Sequence, residues 1–182
     1  MFKRTFRRFI FWAAVLALLV YTIKQFPDRG IEAETAYQAG DYVTAAKFWA
    51  KMASLDDAAA QYNLGALYAS GNGVPASETA AHELFTTAAE SGNSAAMFEL
   101  GKTYETGAGV APSMSTAFLW IKNSAEAGYA PAQIDLGLKY LNGTGVEKDI
   151  IAANFWLSRA AGAGSAPPVL LLTASAPPCG DV

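Results

Sequence analysis

The stretch Ala58–Asn93, AAAQYNLGALYASGNGVPASETAAHELFTTAAESGN, decides the fold because it returns twice more, almost in frame. Leu64-Gly65, Leu100-Gly101 and Leu136-Gly137 stand 36 residues apart. So do Gly71-Asn72-Gly73-Val74, Gly107-Ala108-Gly109-Val110 and Gly143-Thr144-Gly145-Val146, as well as the closing Ala88-Ala89 with Gly92, Ser124-Ala125 with Gly128, and Ala160-Ala161 with Gly164. The units are therefore 58–93, 94–129 and 130–165. A fixed period of this size marks stacked helical hairpins that bury their apolar faces on their neighbours and need no single globular core.

Within each unit the spacing predicts two helices. The first carries a small residue, Leu-Gly and Tyr: Ala60, Leu64, Gly65 and Tyr68, then Ala96, Leu100, Gly101 and Tyr104, then Ala132, Leu136, Gly137 and Tyr140. Offsets of four, five and eight place these on one face. Glycine inside a helix costs about 1 kcal/mol against alanine, so its return at one position implies a neighbouring helix too close for a methyl group. The Gly-x-Gly-Val loop has the look of a phosphate cradle, but a helix precedes it rather than a strand and no Lys-Ser/Thr follows, so it is a turn. Ser77, Ser113 and Asp149 are N-caps for the second helices. These bury Ala81, Leu84, Phe85, Ala88 and Ala89, or Ala117, Trp120, Ile121, Ser124 and Ala125, or Ala153, Trp156, Leu157, Ala160 and Ala161. Gly92, Gly128 and Gly164 are expected in the left-handed C-terminal position.

The pattern A-x-x-x-LG-x-x-Y-x-x-G-x-GV followed by A-x-x-W-x-x-x-AA-x-x-G resembles the Sel1-like repeat, a relative of the tetratricopeptide repeat. The resemblance implies an all-α fold, a right-handed α-solenoid of antiparallel helix pairs, and a role as an adaptor or scaffold in protein assemblies, often in bacterial envelopes. It also implies that the first helices line a concave face. Positions two before, two after and five after each Leu would point into it: Tyr62, Ala66 and Ala69; Phe98, Lys102 and Glu105; Ile134, Leu138 and Leu141. Tyr62, Phe98, Lys102, Glu105, Ile134, Leu138 and Leu141 are thus the candidate partner-binding residues. The third set forms an apolar i, i+4, i+7 stripe beside the core positions Leu136 and Tyr140, more apolar surface than stacking requires. Either a partner segment or the chain's own Val169–Leu172 would cover it.

The flanks have their own signatures. Phe9–Ile23 is a nearly all-apolar run behind Lys3, Arg4, Arg7 and Arg8, and it exits through Val20-Tyr21-Thr22-Ile23 with no small-residue cleavage pair. Residues 1–26 are therefore expected to form an uncleaved transmembrane signal-anchor, with a cleaved signal peptide as the alternative. Fifteen residues of helix span only ~22 Å against ~30 Å of hydrocarbon, but basic and aromatic flanks extend the reach. The positive-inside rule then places a single-pass anchor in the bacterial inner membrane with the repeats in the periplasm. Pro27-Asp28-Arg29-Gly30 reads as a turn. Residues 27–57 form a tetratricopeptide-like capping pair, a helix over Glu32–Gln38 and another over Tyr42–Ser54 with Ala45, Phe48, Trp49, Met52 and Ala53 at core spacing. Residues 166–182 are a degenerate C-terminal cap and tail, broken by Pro177-Pro178.

Composition excludes several chemistries. Thirteen basic and sixteen acidic residues give −3 overall, but five of the basic residues precede Pro27, leaving about −8 beyond it and arguing against nucleic acid as a partner. One cysteine, Cys179, excludes an intrachain disulfide and a multi-cysteine metal site. His82 is the only histidine, so neither a catalytic triad nor a histidine-rich metal centre is supported, and its side chain is expected to be exposed. Glu99 and Asp135, one repeat apart, read as a solvated edge. No enzyme activity, cofactor or metal is expected. The leading function is a membrane-anchored periplasmic adaptor holding a protein partner in its groove for envelope assembly, secretion or regulation. The alternative is a structural accessory subunit of an integral membrane complex, its anchor packing through Ala13, Ala14 and Ala17. The anchor is directly testable: the mature protein should retain its first residues, and N-terminal sequencing that starts beyond residue 20, or a reporter fused after Val182 that is active only in the cytoplasm, would refute it.

Overall fold

The computed structural model describes residues 29–162. The expected anchor over residues 1–26 and the cap and tail over 166–182, including Val169–Leu172 and Cys179, lie outside the described residues. Among the described residues there are eight α-helices and no strand: α1 (Arg29–Gln38), α2 (Tyr42–Ala53), α3 (Ala58–Ser70), α4 (Glu78–Glu90), α5 (Ser94–Thr106), α6 (Met114–Glu126), α7 (Ala130–Asn142) and α8 (Ile150–Ala160). Extensive packing runs between helices adjacent in sequence, the nearest-neighbour arrangement of a solenoid. None of these helices is long and apolar enough to cross a membrane.

The repeat writes the same local structure three times. The first helices end at Gly71, Gly107 and Gly143, all with positive φ. The chain then returns to them: the backbone N–H groups of Ser77, Ser113 and Asp149 donate to the carbonyls of Tyr68, Tyr104 and Tyr140, each at 2.9 Å. The side chains of Ser77, Ser113 and Asp149 accept from the first turns of α4, α6 and α8, as N-caps should. Each connecting loop is thus tied at both ends.

Packing between the two helices of a unit is set by Gly65, Gly101 and Gly137. A methyl group on Gly101 would sit 2.6 Å from Cγ1 of Ile121, and one on Gly65 or Gly137 would be 2.8 Å from Phe85 or 2.7 Å from Leu157. The expected close approach is therefore present in all three units. Around it run the buried clusters of Ala60, Leu64 and Leu67 with Ala45, Ala46 and Trp49, then Phe85, Ala88, Ala89, Ala96 and Leu100, then Ile121, Ala125, Ala132, Leu136 and Trp156. Between units, the loops also dock by backbone. A Cβ on Gly73 would lie 2.4 Å from the carbonyl carbon of Tyr42, and one on Gly109 2.4 Å from the carbonyl oxygen of Glu78, so these two loops press on the start of the preceding second helix, whereas a Cβ on Gly145 in the third loop would meet nothing within 4 Å.

Three expectations need correction. The first helix begins at Arg29 rather than Glu32, so Arg29 and Gly30 are helical and not part of a turn. The last helix ends at Ala160, two residues short of its counterparts, and Gly162 follows with φ +73, because the sequence Ala160-Ala161-Gly162 offers a glycine early; Gly164 itself lies outside the described residues. The third second-helix is also less covered than its counterparts: Leu157 and Ala160 are only half-buried and Ala161 is exposed, whereas Phe85, Ile121 and Ser124 are buried.

Replacing Gly101 with Leu forces side-chain atoms into the space of Ile121 and the Ala117 carbonyl, and overpacking of this kind costs about 1–3 kcal/mol. Thermal unfolding should show a melting temperature lower by several degrees. An unchanged value would refute the packing role.

Candidate functional site

Side by side, the first helices α5 and α7 build a charged and aromatic face. The partners are Lys102 and Glu105 on α5 and Asp135 and Lys139 on α7. Glu105 accepts from Lys102 of its own helix and from Lys139 of the next unit, so one carboxylate joins two repeats. Lys139 also lies 3.5 Å from Asp135 one turn before it, and that Asp135 oxygen is buried without a hydrogen bond of its own. Burial alone would raise the Glu105 pKa, but the hydrogen bonds and charges of the two lysines outweigh it and hold the carboxyl below its usual range. Burial also opposes the charge on Lys102, yet Glu105 outweighs it and raises that pKa.

Lys139 is 9% exposed and occupies the register of Leu67 and Thr103 in the earlier units, both buried. A buried ammonium is costly unless paired, and here Glu105 and Asp135 pair it while its methylene stem fills the core position. Beside this network stands Glu99, half-buried, with its pKa raised by desolvation that the nearby Lys102 only partly offsets. Neither Glu99 nor Asp135 is the solvated edge expected from sequence. The adjoining helices remove water from both, which spacing along one helix does not reveal.

Aromatic side chains frame the same face. Phe98 packs on Tyr129 at 5.7 Å between ring centres, and Tyr62 on Phe85 at 6.0 Å. Burial raises both phenol pKa values, and the charge of Glu99 adds to each. Tyr129 holds the N-cap position of α7 but makes no capping hydrogen bond, whereas Asp57 and Asn93 at the same register cap α3 and α5. Ala66 and Ala69 are exposed, and Ile134, Leu138 and Leu141 are 47%, 43% and 36% exposed, an open apolar stripe on α7. The structure thus joins Lys102 and Glu105 directly, places Tyr62 and Phe98 as half-buried rings and leaves the α7 stripe in solvent.

His82 is not the exposed side chain expected. It is half-buried between α4 and α5, with Nδ1 2.9 Å from the Thr103 hydroxyl and its ring edge-on to Tyr104 at 5.2 Å. Thr103 spends its proton on the Leu100 carbonyl at 2.8 Å, so its oxygen accepts and His82 Nδ1 donates. Desolvation lowers the imidazole pKa, with Glu83 opposing. One repeat on, Phe118 meets Tyr140 with the same edge-on geometry at 6.0 Å, so His82 stands in a packing position. Among the described residues no group of three His, Cys, Asp or Glu could hold a metal ion. Two open surface hollows, at Val43–Val74 and Tyr140–Ile151, include none of the charged residues of the first-helix face.

A family profile for the Sel1 repeat matches residues 58–93, 94–129 and 130–165. The chain belongs to the Sel1 repeat family. Proteins of this family generally act as scaffolds for protein–protein interaction. Among solved structures, this Sel1 chain is similar to a Sel1 repeat protein from Oxalobacter formigenes, with 32% identity and a TM-score of 0.68 over 74% of this chain and 55% of that one. It is also similar to c5321, described as a protective antigen present in uropathogenic Escherichia coli strains and displaying an SLR fold, with 32% identity and a TM-score of 0.63 over 68% of this chain and 26% of that one. The Sel1 chain therefore spans about half the length of the first protein and a quarter of the second. Comparison with curated proteins finds no match.

Lys139, Asp135, Glu99 and Tyr129 complete the Sel1 face and were not among the residues picked out by spacing from the Leu positions. The available signal was a break in register: a lysine where the earlier repeats carry Leu67 and Thr103, and a tyrosine where they carry capping Asp57 and Asn93. Lys139→Met keeps the stem and removes the charge, leaving Asp135 without its cation. Removing one partner of a buried ion pair costs about 3–5 kcal/mol, and less here because Asp135 keeps part of its exposure. Melting of the variant should fall accordingly, and a melting temperature equal to or above that of the parent would show that the network adds no stability.

Proposed function

We propose that this Sel1 repeat protein is a non-enzymatic scaffold that takes a segment of a protein partner on the face of its first helices. Ile134, Leu138 and Leu141 supply apolar contacts, flanked by Lys102 and Glu105 and by the rings of Tyr62 and Phe98. The observation that carries this reading is the exposed stripe of Ile134, Leu138 and Leu141 beside a fully buried Leu136: α7 already has its core residue, and three more large apolar side chains face solvent. The shared fold with other Sel1 repeat structures supports an interaction role. The proposal includes the cellular setting read from the basic, apolar N-terminal segment, a periplasmic adaptor held in the inner membrane of a bacterium and serving envelope assembly, secretion or regulation.

Fully burying a leucine contributes about 1.5–3 kcal/mol, so Leu138→Asp is expected to weaken partner binding at least tenfold. The measurement is crosslinking and affinity purification of the full chain in detergent, quantified by mass spectrometry, with thermal melting alongside. A variant that melts normally and recovers the same partners in the same amounts would refute the docking face. One that melts early would instead assign Leu138 to the stability of the solenoid.

A further inference from the structure

The charges of the first-helix face do not balance. Three carboxylates, Glu99, Glu105 and Asp135, stand against two ammonium groups, Lys102 and Lys139. Both lysines are engaged: Lys102 donates to Glu105, and Lys139 donates to Glu105 and lies against Asp135. The carboxylate left over is Glu99, which makes neither a salt bridge nor a hydrogen bond among the described residues. It is half-buried all the same, and a carboxylate withdrawn from water without a partner is unfavourable.

Its surroundings are as particular as its charge. Phe98 precedes it and packs on Tyr129, while Tyr62 and Tyr129 both lie close enough to feel the Glu99 charge. Tyr129 gives up the N-cap hydrogen bond that Asp57 and Asn93 make at the same register, so the ring's place on this face is not explained by helix capping. A half-buried carboxylate with no salt bridge suits a cation, which it attracts by charge and can hold by a charge-assisted hydrogen bond. It suits an anion or an apolar group poorly.

We propose that Glu99, half-buried on α5 next to the Phe98–Tyr129 pair and without a salt bridge, receives a lysine or arginine side chain of the partner, whose apolar residues lie along Ile134, Leu138 and Leu141. This rests on the docking face proposed above and adds the chemistry of its occupant: an unfolded or helical segment that carries a basic residue beside apolar ones. The excess of acidic over basic residues beyond Pro27 draws such a segment in from a distance.

The test uses random 12-residue peptides displayed on phage and selected on the full chain in detergent, with Glu99→Gln and Leu138→Asp selected in parallel after melting curves show both folded. Glu99→Gln removes a half-buried charge that makes no salt bridge, keeps the shape of the side chain and leaves the Lys102–Glu105 pair in place, so it should fold as well as the parent. The parent should enrich peptides with Lys or Arg beside apolar residues. The best of these should bind Glu99→Gln at least tenfold more weakly, and its arginine-to-citrulline version should bind the parent equally weakly. Peptides that depend on Leu138 but bind parent and Glu99→Gln alike would overturn the role of Glu99 and leave the docking face standing. Selections that yield no peptide dependent on either residue would overturn both.

Discussion

A missing methyl group governs the distance between the two helices of every unit. At Gly65, Gly101 and Gly137 a Cβ would fall within 2.6 to 2.8 Å of the neighbouring Phe85, Ile121 or Leu157 side chain, and the helices meet there because nothing stands between them. The cost of glycine in a helix, about 1 kcal/mol each, is offset by the apolar surface this closeness buries. Alanines at Ala81, Ala88, Ala89, Ala117 and Ala125 extend the seam, and the large residues interlock across it. That spacing holds the two helices of each unit as one block, and the charged face is assembled on the first helices of two such blocks.

Much of the fold was legible because the repeat allows each residue to be checked against two others at the same register. Leu-Gly at three equal intervals, capping residues at Ser77, Ser113 and Asp149, and glycine where the first helices stop all translate into local geometry without knowledge of tertiary structure. Errors arose where a unit departs from its siblings. The second helix of the third unit stops at Ala160 because Gly162 offers a left-handed residue before the register requires one. His82, where the next unit has Phe118, reads as a surface residue until α5 is laid against it and Thr103 accepts its proton.

The face on α5 and α7 was legible only in part, for a related reason. Burial of Glu99, Asp135 and Lys139 is produced by the approach of adjacent first helices, and no periodicity within one helix contains that information. Lys139 bridging to Glu105 couples neighbouring units through charge, in addition to the apolar packing, the loop contacts and the hydrogen bonds that join them elsewhere. Such a pair is a demanding device, since a slip of register would leave an ammonium in the core with no carboxylate beside it. It therefore helps to hold the second and third units in one relative position.

The docking of Gly73 on Tyr42 and of Gly109 on Glu78 has a consequence for how such a chain changes in length. Contact there is made by main-chain atoms on both sides, so it does not depend on which side chains the preceding helix carries. The first two full units use this joint, and a unit with the same loop and capped second helix can be seated in their place, although Gly145 of the third unit makes no such contact. Duplication or loss of a whole 36-residue segment preserves every such joint, whereas inserting a single residue into the loop would displace the glycine from the backbone it rests on and the cap from the tyrosine carbonyl it is tied to. Growth by whole units is thus open to this architecture, and growth by single residues between the helices is not.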